Sequence, residues 1–418
     1  MLLHRIRPLA SLATPRPFLR TTRRRTSTPS PIFSSHSHIR CLASKMAPTN
    51  RAAWLAGKQV WPLEVKEAPY TEPGFNEIVV KAAAIAVNPV DAMKQAMGDN
   101  MMGWIKYPFI LGDDVAGEVV QVGPGVTRFQ PGDRVLGHAV SIDKRSNRAC
   151  EGAFQEYVVL RTNLVSPIPD DLPYEKACVL PLCLSTAACG LFMKDYLALN
   201  HPSLKTTKNA TGQTLLVWGG STSLGSNAIQ LAVAAGYEVI ATASPKNFEY
   251  VTGLGASKVF DYRSPTAVAD IIDVLQSKTS AGAIAIGAGS MEACIDIVAA
   301  TQQGRKFIAQ ASVPMPADIP PKGMALVSFI ASFLWFNVST FVKCKVQGIG
   351  AKFIWGDDLM ANEVGSAIYE HFLPDALAAG KYVAAPEPYV VGNGLEHIQE
   401  ALDVVKKGVS ARKVVVTL

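Results

Sequence analysis

The residues best placed to do chemistry form a glycine-rich turn between a predicted strand and a predicted helix. The apolar run Leu215 to Trp218 suits a strand that is buried on both faces, and Gly219 and Gly220 let the backbone turn tightly behind it. The predicted helix begins near Ser223. Its free N–H groups and the positive end of its dipole would therefore both face an anion bound at the turn. Gly225 allows this helix to lie close to the sheet. The spacing therefore predicts a site for the pyrophosphate of a dinucleotide.

The end of the next predicted strand indicates which dinucleotide this is. The strand Glu238 to Ala243 is followed by Ser244, Pro245 and Lys246. A protein that selects NAD usually places an Asp or Glu here, where the carboxylate binds the diol of the adenosine ribose. A hydroxyl and an ammonium suit a 2′-phosphate instead, so we expect NADPH rather than NADH. The alternative is an α/β turn without a ligand, beside a solvated Lys246.

The composition limits the classes of fold and of binding partner that the chain can have. With 418 residues, 49% of them hydrophobic and 18% charged, the chain can form two domains with sizeable cores. The formal net charge of +6 belongs to the N-terminus, because residues 1–45 hold nine of the 40 basic side chains and none of the 34 acidic ones. The remainder carries 31 basic against 34 acidic side chains, a net charge of −3. A mildly acidic body without a basic stripe predicts no nucleic-acid partner.

The N-terminal segment of residues 1–45 is rich in Arg and Ser and lacks acidic residues, which is typical of a mitochondrial transit peptide. Equally consistent is a disordered extension upstream of Met46, where a cytoplasmic protein would start. A mitochondrial and a cytoplasmic localisation therefore both stay open.

The seven cysteines form no CxxC pair, which is the pattern of reduced thiols inside a cell. Cys178, Cys183 and Cys189 lie in an apolar helical stretch, so we interpret them as small core residues rather than ligands. The pattern does not imply a disulfide framework.

The order of strand and helix patterns predicts an α/β chain. Short strands broken by Gly and Pro between Ala52 and Val165 are typical of an irregular β-barrel. A helical stretch from Tyr174 leads to strands and helices that alternate as far as Ser312, which indicates a doubly wound parallel sheet. We predict a leader at residues 1–45, a barrel domain at 46–187, a nucleotide-binding domain at 188–355 and a C-terminal return to the first domain at 356–418.

One apolar segment, Met324 to Val342, carries no charge over 19 residues and is long enough to cross a bilayer. It lies between elements of one predicted sheet and contains Ser, Asn and Thr. We therefore favour a buried helix, a pocket wall or a dimer surface, and we expect no stable membrane insertion.

Several motifs occur in the order found in one known superfamily. They are NPVD at Asn88 to Asp91, GDDVAGEVVQVGPGV at Gly112 to Val126, PGDRV at Pro131 to Val135, the glycine-rich turn, and the closing GVSARKVVVTL. From about residue 50 to residue 418 the chain resembles the medium-chain dehydrogenase/reductase superfamily. Within it, the chain is most similar to the zinc-independent quinone and enoyl reductases, especially the fungal trans-acting enoyl reductases. The resemblance implies a GroES-like irregular β-barrel catalytic domain and a doubly wound, Rossmann-type nucleotide-binding domain.

Other residues stand where zinc alcohol dehydrogenases of this superfamily have their metal ligands. The resemblance places Asn88 at the Cys position, Asp113 at the His position and the third ligand position near Leu182. One carboxylate without thiolate or imidazole does not make the usual tetrahedral set, and Val140 to Ala153 contains a single cysteine where a structural zinc lobe needs four. We expect a metal-free enzyme, for which a conjugated C=C bond or a quinone is an easier acceptor than a simple carbonyl.

The resemblance also implies site residues. Lys94 and Thr186 are the candidate catalytic residues, with a surface lysine as the alternative for Lys94; Met93 stands near the place where related enzymes have a Tyr. The histidines, His138 among them, show no paired spacing, which indicates structural or exposed side chains. The predicted cofactor contacts are Asn88, Thr186, Gly219, Gly220, Ser221, Thr222, Ser223, Leu224, Gly225, Ser244, Lys246, Asn247, Tyr262 and Lys413.

The sequence thus predicts an NADPH-dependent, zinc-free oxidoreductase that reduces an enone, an enoyl group or a quinone, in each case a small-molecule substrate. Two alternatives stay open: a zinc-type alcohol dehydrogenase-like carbonyl reductase, and a nucleotide-binding structural protein of the same fold with little turnover. The resemblance also allows a homodimer through the edge strand of the nucleotide-binding domain and a polyketide synthase as a partner.

Overall fold

A computed structural model describes residues 48–313 and 323–418 of the protein. The first part of the chain forms antiparallel strands. The leader predicted at residues 1–45 lies outside the described residues. The strands are β1 (Asn50–Leu55), β2 (Glu64–Ala68), β3 (Glu77–Val87), β4 (Phe109–Ile110), β5 (Asp114–Val122), β6 (Arg134–His138), β7 (Tyr157–Arg161) and β8 (Val165–Pro167), and the helices are α1 (Pro89–Met97), α2 (Tyr174–Ala177) and α3 (Pro181–Phe192).

Strand β3 is the centre of the barrel. Both β5 and β7 pair with it antiparallel, and β6 and β8 extend the sheet beyond β5. Apart from the exposed Lys81, β3 is largely buried on both faces, a position that suits its alanine and β-branched side chains. Two shifts of register against β5 bend β3 and help to curve the sheet.

The middle of the chain alternates strand and helix and forms one parallel sheet. Its strands are β9 (Gln213–Trp218), β10 (Glu238–Ala243), β11 (Lys258–Asp261), β12 (Thr279–Ala285), β13 (Gln303–Gly304), β14 (Phe307–Gln310) and β15 (Gly350–Phe353), and its helices are α4 (Ser223–Ala234), α5 (Phe248–Gly253), α6 (Ala267–Leu275), α7 (Ser290–Ala300) and α8 (Met324–Val346). The strand order is β11-β10-β9-β12-β14-β15, with β13 paired to β12. The order reverses between β9 and β12, and doubly wound sheets bind ligands at the carboxyl ends of the strands at this point. The predicted doubly wound sheet is confirmed.

The C-terminal part of the chain returns to the barrel. Its elements are α9 (Glu363–Ser366), a π-helical turn (Ala367–Phe372), α10 (Leu373–Ala378), β16 (Pro388–Asn393), α11 (Ile398–Lys407) and β17 (Lys413–Thr417). Strand β17 pairs antiparallel with β3 and parallel with β16, so the last strand lies inside the barrel sheet. Helix α11 buries Ile398, Ala401 and Leu402 in the barrel core, the spacing of one helix face.

One apolar core joins the barrel to the parallel sheet. Helix α3 lies in it, with Leu184, Ala188 and Leu191 fully buried. The same core contains Leu136 of the barrel and Leu215 of β9. Because α3 packs against both parts, side chains of the barrel and the carboxyl ends of β9 and β10 can meet around it.

Two helical stretches of the described residues are long and apolar enough to cross a membrane, namely Tyr174–Phe192 and α8. The first belongs to the core, since 72% of its apolar window is buried. The second does not, because Trp335 is 73% exposed, Phe341 is 67% exposed, and Cys344 alone is buried within α8. Of the three predicted alternatives, the buried helix is therefore wrong, because apolar composition does not ensure that other elements cover a helix; a pocket wall or a dimer surface stays a prediction.

The sheet topology argues against a membrane span by α8. This helix connects β14 and β15, which are adjacent parallel strands of one sheet. If α8 crossed a bilayer, its two ends would lie on opposite sides of the membrane, whereas the strands that it connects are paired from Phe307 to Gln310 and from Gly350 to Phe353.

The turn between β9 and α4 depends on a close approach of backbone to backbone. A Cβ on Gly225 would lie 2.8 Å from the Cα of Gly220 and closer still to the carbonyl oxygen of Gly219. Neither neighbour is a flexible side chain that could move aside. Helix α4 can therefore lie this close to the end of β9 only with glycine at position 225.

We predict that carbonate extraction releases the full-length protein from the membrane fraction of expressing cells, because α8 cannot span a bilayer while β14 and β15 remain paired. Immunoblots of pellet and supernatant measure this, with a protein of one known membrane span as the control. Recovery of the chain in the washed pellet contradicts the prediction.

We predict that Gly225→Ala lowers the free energy of unfolding by about 2 kcal/mol or more, the usual cost of overpacking against atoms that cannot yield. Denaturant unfolding measures it. Gly253→Ala is the matched control, because a Cβ there meets nothing within 4 Å. An unchanged midpoint for Gly225→Ala would show that the turn is looser than the structure indicates.

Candidate functional site

The glycine turn, residues 219–225, lies at the carboxyl end of β9 and is held by the neighbouring strand. Gly219 has a φ of +93°, a conformation that favours glycine. Its N–H donates to Oγ1 of Thr242 at 3.0 Å, and the N–H of Gly220 donates to the carbonyl of Thr242 at 2.8 Å. A Cβ on Gly220 would lie 3.0 Å from the Cβ of Ala241. The turn is a narrow cradle whose space exists because these positions lack side chains, as a bound phosphate requires.

The first turn of α4 supplies donors for an anion. Oγ1 of Thr222 accepts the N–H of Gly225 at 3.0 Å and donates to a carbonyl of the turn at 2.8 Å, so this hydroxyl caps the helix. The N–H groups of Ser221, Ser223 and Leu224 donate to no acceptor in the described part of the chain. Free N–H groups at the positive end of a 12-residue helix match what a pyrophosphate needs.

The end of β10 carries the groups expected beside the adenosine. Lys246 is exposed, and Ser244 is half-buried. A hydrogen bond with Ser244 lowers the pKa of Tyr262, which lies at the end of β11. Asn247 is buried, and its Nδ2 donates to Oγ of Ser410 at 3.4 Å. The hydroxyls of Ser244 and Tyr262 therefore lie together at this edge of the sheet, and the exposed Lys246 follows Ser244 by two residues.

Sequence reasoning missed a second cation at this edge, Arg263. Its Nε donates to the hydroxyl of Tyr262 at 3.2 Å, and its guanidinium lies 5.2 Å from the centre of that ring. Because β10 and β11 are parallel neighbours, the residues that follow them meet at the same edge. That rule could have identified Arg263 as a partner for Lys246.

A buried ion pair ties the last strand to the barrel. Nζ of Lys413 lies 2.7 Å from Oδ2 of Asp114, and both side chains are buried. Asn88 bridges them, since its Oδ1 accepts from Lys413 and its Nδ2 donates to Asp114 at 2.9 Å. The other oxygen of Asp114 accepts the N–H of Leu182 at 2.6 Å. Burial alone would lower the pKa of Lys413, but Asp114 raises it above its ordinary value, so the ammonium stays charged.

Lys413 and Asn88 therefore have positioning roles in this structure. Their polar groups are engaged with each other and with Asp114. A direct contact of either side chain with the cofactor stays a prediction.

Helix α3 brings this ion pair next to the glycine turn. Sγ of Cys183 lies 3.9 Å from Nζ of Lys413, and α3 packs against α4, the helix that Ser223 begins. One turn further along α3, Oγ1 of Thr186 donates to the carbonyl of Leu182 at 2.8 Å. The half-buried Thr186 thus lies on the same helix that contacts the phosphate turn, as a residue touching the nicotinamide half should.

Lys94, the other predicted catalytic residue, is fully buried in the last turn of α1. Its Nζ donates to the carbonyls of Gly98 at 3.0 Å, Met101 at 3.0 Å and Met102 at 3.1 Å. Burial lowers the pKa of this ammonium. The alternative of a surface lysine is wrong, and the contacts favour a structural role because three carbonyls occupy all three donors. A catalytic role for Lys94 stays a prediction.

Next to the ion pair lies a cluster of buried carboxyl groups, formed by Asp91, Asp113, Asp114 and Asp357, here called the carboxyl cluster. Burial raises the pKa of Asp91 to about 7. Neither carboxyl oxygen of Asp113 has a hydrogen-bond partner in the described residues, and burial raises its pKa well above the ordinary value. Nε2 of the fully buried His138 lies 3.2 Å from Oδ1 of Asp357, without the angles of a hydrogen bond. Asp113 of this cluster and the neighbouring His138 are therefore two buried polar side chains with unused hydrogen-bonding capacity.

The positions equivalent to zinc ligands do not make a donor set. The amide of Asn88 is hydrogen-bonded within the ion pair, and Leu182 offers an apolar side chain. In residues 48–313 and 323–418, no group of three or more His, Cys, Asp or Glu side chains has a geometry that could hold a metal ion. The metal-free state stays a prediction.

Sequence reasoning missed Asp357 and gave His138 no part in the site. Asp357 follows Gly356, where a Cβ would lie 2.5 Å from Oγ1 of Thr186. The short 3-10 helix Gly356–Ala361 packs against α3 and so carries Asp357 to the barrel. No local pattern marks this residue, because only the packing of distant segments places it beside His138.

Comparison with known proteins defines the family. The model of the alcohol dehydrogenase GroES-like domain matches residues 74–170. The dehydrogenase pigH of Monascus ruber is 54% identical over 371 residues, which are 89% of this chain and 100% of the relative. The trans-enoyl reductase himH of Aspergillus japonicus is 40% identical over 88% of this chain and 97% of the relative.

The fold agrees with these relatives. The solved structure of a mycobacterial protein complexed with NADPH is similar with a TM-score of 0.61 and 20% identity, over 88% of this chain and 100% of that chain. At this identity the likeness shows the fold alone. The chain belongs to the medium-chain dehydrogenase/reductase superfamily of oxidoreductases.

Proposed function

We propose that the protein is an NADPH-dependent reductase of a conjugated C=C bond in an enone or an enoyl group. The observation that carries the proposal is the donor set beside α3, where an amide engaged in hydrogen bonds, a carboxyl group and a leucine stand at the positions of zinc ligands. The amide and a protonated carboxyl group can donate hydrogen bonds, but together with a leucine they do not form the usual ligand set for a metal that would act as a Lewis acid. The relative himH, a trans-enoyl reductase by name, supports the same reaction class.

The acceptor chemistry follows from these donors. Hydride addition to a simple ketone places a full charge on one oxygen, and a metal contributes several kcal/mol to that step. Addition to the β-carbon of a conjugated carbonyl spreads the charge over an enolate, which a few hydrogen bonds can stabilise. A conjugated acceptor therefore suits the side chains of this site better than a simple carbonyl.

The chain's own residues would bind and orient the reactants. Bound NADPH supplies the hydride. The N–H groups of Ser221, Ser223 and Leu224 would bind the pyrophosphate, and Lys246 and Arg263 the 2′-phosphate. Helix α3, which carries Thr186, would hold the nicotinamide half against the barrel. The shared apolar core around α3 would exclude water from the reacting atoms.

We predict that the purified protein oxidises NADPH with enones, alkenals or enoyl thioesters at least about 100-fold faster than with saturated ketones and aldehydes, as the loss of a metal's several kcal/mol implies. The measurement is NADPH absorbance across a matched panel that includes quinones. A preference for saturated carbonyls would overturn the proposal. Tight NADPH binding without turnover of any acceptor would favour the nucleotide-binding structural protein.

We predict that Lys246→Ala weakens NADPH binding by about tenfold or more and NADH binding by less than about twofold, since a charge-assisted contact to the 2′-phosphate is worth roughly 1.5–3 kcal/mol. Fluorescence titration with both cofactors measures the two dissociation constants. Lys258→Ala is the control, because Lys258 is exposed at the opposite, amino end of the neighbouring strand β11. Equal losses for NADPH and NADH would refute a 2′-phosphate contact.

A further inference from the structure

The carboxyl group of Asp113 is one of two buried side chains of the site, with His138, that have no hydrogen-bond partner in the described residues. It is fully buried, yet neither oxygen has a hydrogen-bond partner in the part of the chain that the structure describes. A buried polar group without a partner costs about 1–3 kcal/mol, and an unpaired buried charge costs more. A fold retains such a group at lower cost if the group is neutral or if a ligand completes its hydrogen bonds.

The surroundings keep Asp113 neutral. Burial is the largest cause that raises its pKa, and the nearby carboxyl groups of Asp91, Asp357 and Asp114 raise it further. The ammonium of Lys413 opposes them, but it is paired with Asp114 at 2.7 Å. Asp113 therefore holds an O–H donor for which the described residues provide no acceptor.

Asp113 lies where the barrel meets the cofactor domain. Its carbonyl accepts the N–H of Ala139, which directly follows β6 and His138. The next residue, Asp114, accepts the N–H of Leu182 in the first turn of α3. Asp357 reaches the same place from the segment that packs on α3. The unused donor thus lies beside the helix that leads to the glycine turn.

Building on the proposed function, we propose that Asp113 is a catalytic residue whose neutral carboxyl donates a hydrogen bond to the carbonyl oxygen of the unsaturated acceptor. The β-carbon of the acceptor gains a C–H bond with the hydride from NADPH, and the electron pair of the C=C bond moves toward that oxygen. The O–H of Asp113 stabilises the resulting enolate and keeps its proton. Solvent supplies the proton that forms the C–H bond at the α-carbon, so one hydride and one proton are added in total.

A carboxylic acid that an apolar site keeps neutral can act in this way as a donor to an oxyanion. It supplies electrostatic stabilisation at the place where related zinc enzymes have a metal ligand. Because Asp113 is fully buried, the acceptor must displace the groups that cover it before this hydrogen bond can form.

The test compares two substitutions in the full-length protein, with NADPH and the best acceptor of the panel. Asp113→Ala removes the donor, and we expect kcat to fall about 100-fold, the usual effect of losing one oxyanion donor. Asp113→Asn retains an N–H donor, and we expect kcat within about tenfold of the parent protein. The dissociation constant for NADPH should stay unchanged in both. Asp171→Asn is the matched control, because Asp171 is exposed and forms no side-chain hydrogen bond in the described residues.

A second measurement does not depend on turnover. The pKa of Asp113 is higher in the folded than in the unfolded protein, so the folded state binds more protons and stability falls as the pH rises above the unfolded value. As the pH rises above the unfolded pKa of an aspartate, Asp113→Asn should therefore gain stability relative to the parent protein. On the alkaline side, kcat of the parent protein should fall as the carboxyl ionises, and kcat of Asp113→Asn should not.

The outcomes separate the two proposals. If the parent protein reduces none of the acceptors, the proposed function fails and the role of Asp113 fails with it. If the parent protein is active and folded Asp113→Ala retains its kcat, the role of Asp113 is refuted and the proposed function stands. If Asp113→Ala does not fold, the comparison uses Asp113→Asn and the parent protein. The catalytic role of Asp113 is refuted if stability and kcat depend on pH in the same way in both proteins.

Discussion

The ion pair between Lys413 and Asp114 is the interaction on which the site depends. A buried ion pair stabilises a protein only when both charges have complete hydrogen bonds. Here Asn88 forms hydrogen bonds with both partners, and the N–H of Leu182 donates to the second oxygen of Asp114. The partners come from β17, β5, the N-cap of α1 and the first turn of α3. The pair can therefore form only when the last strand has returned to the barrel and α3 has docked. Loss of one partner leaves a buried charge, at a cost of about 3–5 kcal/mol.

The two halves of the site rest on different physics. The phosphate half uses backbone N–H groups and the absence of side chains at Gly220 and Gly225, so it is built within one strand, one turn and one helix. The reaction half uses buried side chains that come from five segments, among them Asp113 and Asp357. Burial strengthens every charge interaction in this half, because the interior screens charges less than water does. Substitutions in the phosphate half should act through sterics, and those in the reaction half through protonation.

Local patterns predicted the elements of the nucleotide-binding part well. The strand Glu238–Ala243 and the helix that begins at Ser223 have the predicted bounds, since glycine turns and apolar runs depend mainly on neighbours in the chain. The buried-helix alternative for α8 failed because burial depends on what packs opposite a helix, and little packs against α8. Lys94 illustrates the same limit, since its motif indicated a pocket or the surface and its three carbonyl contacts indicate a buried support for a loop.

The amino-acid sequence by itself determined the barrel, the doubly wound sheet, the glycine turn and the basic end of β10, because these follow from short-range periodicity and from the conformational freedom of glycine. Tertiary structure alone decided that Lys413 pairs with Asp114, and that Asp113 has no hydrogen-bond partner in the described part of the chain. These facts depend on which distant segments meet and how much water they exclude. Solvation and pairing determine the charge of a buried side chain, and the spacing of residues along the chain predicts neither of them.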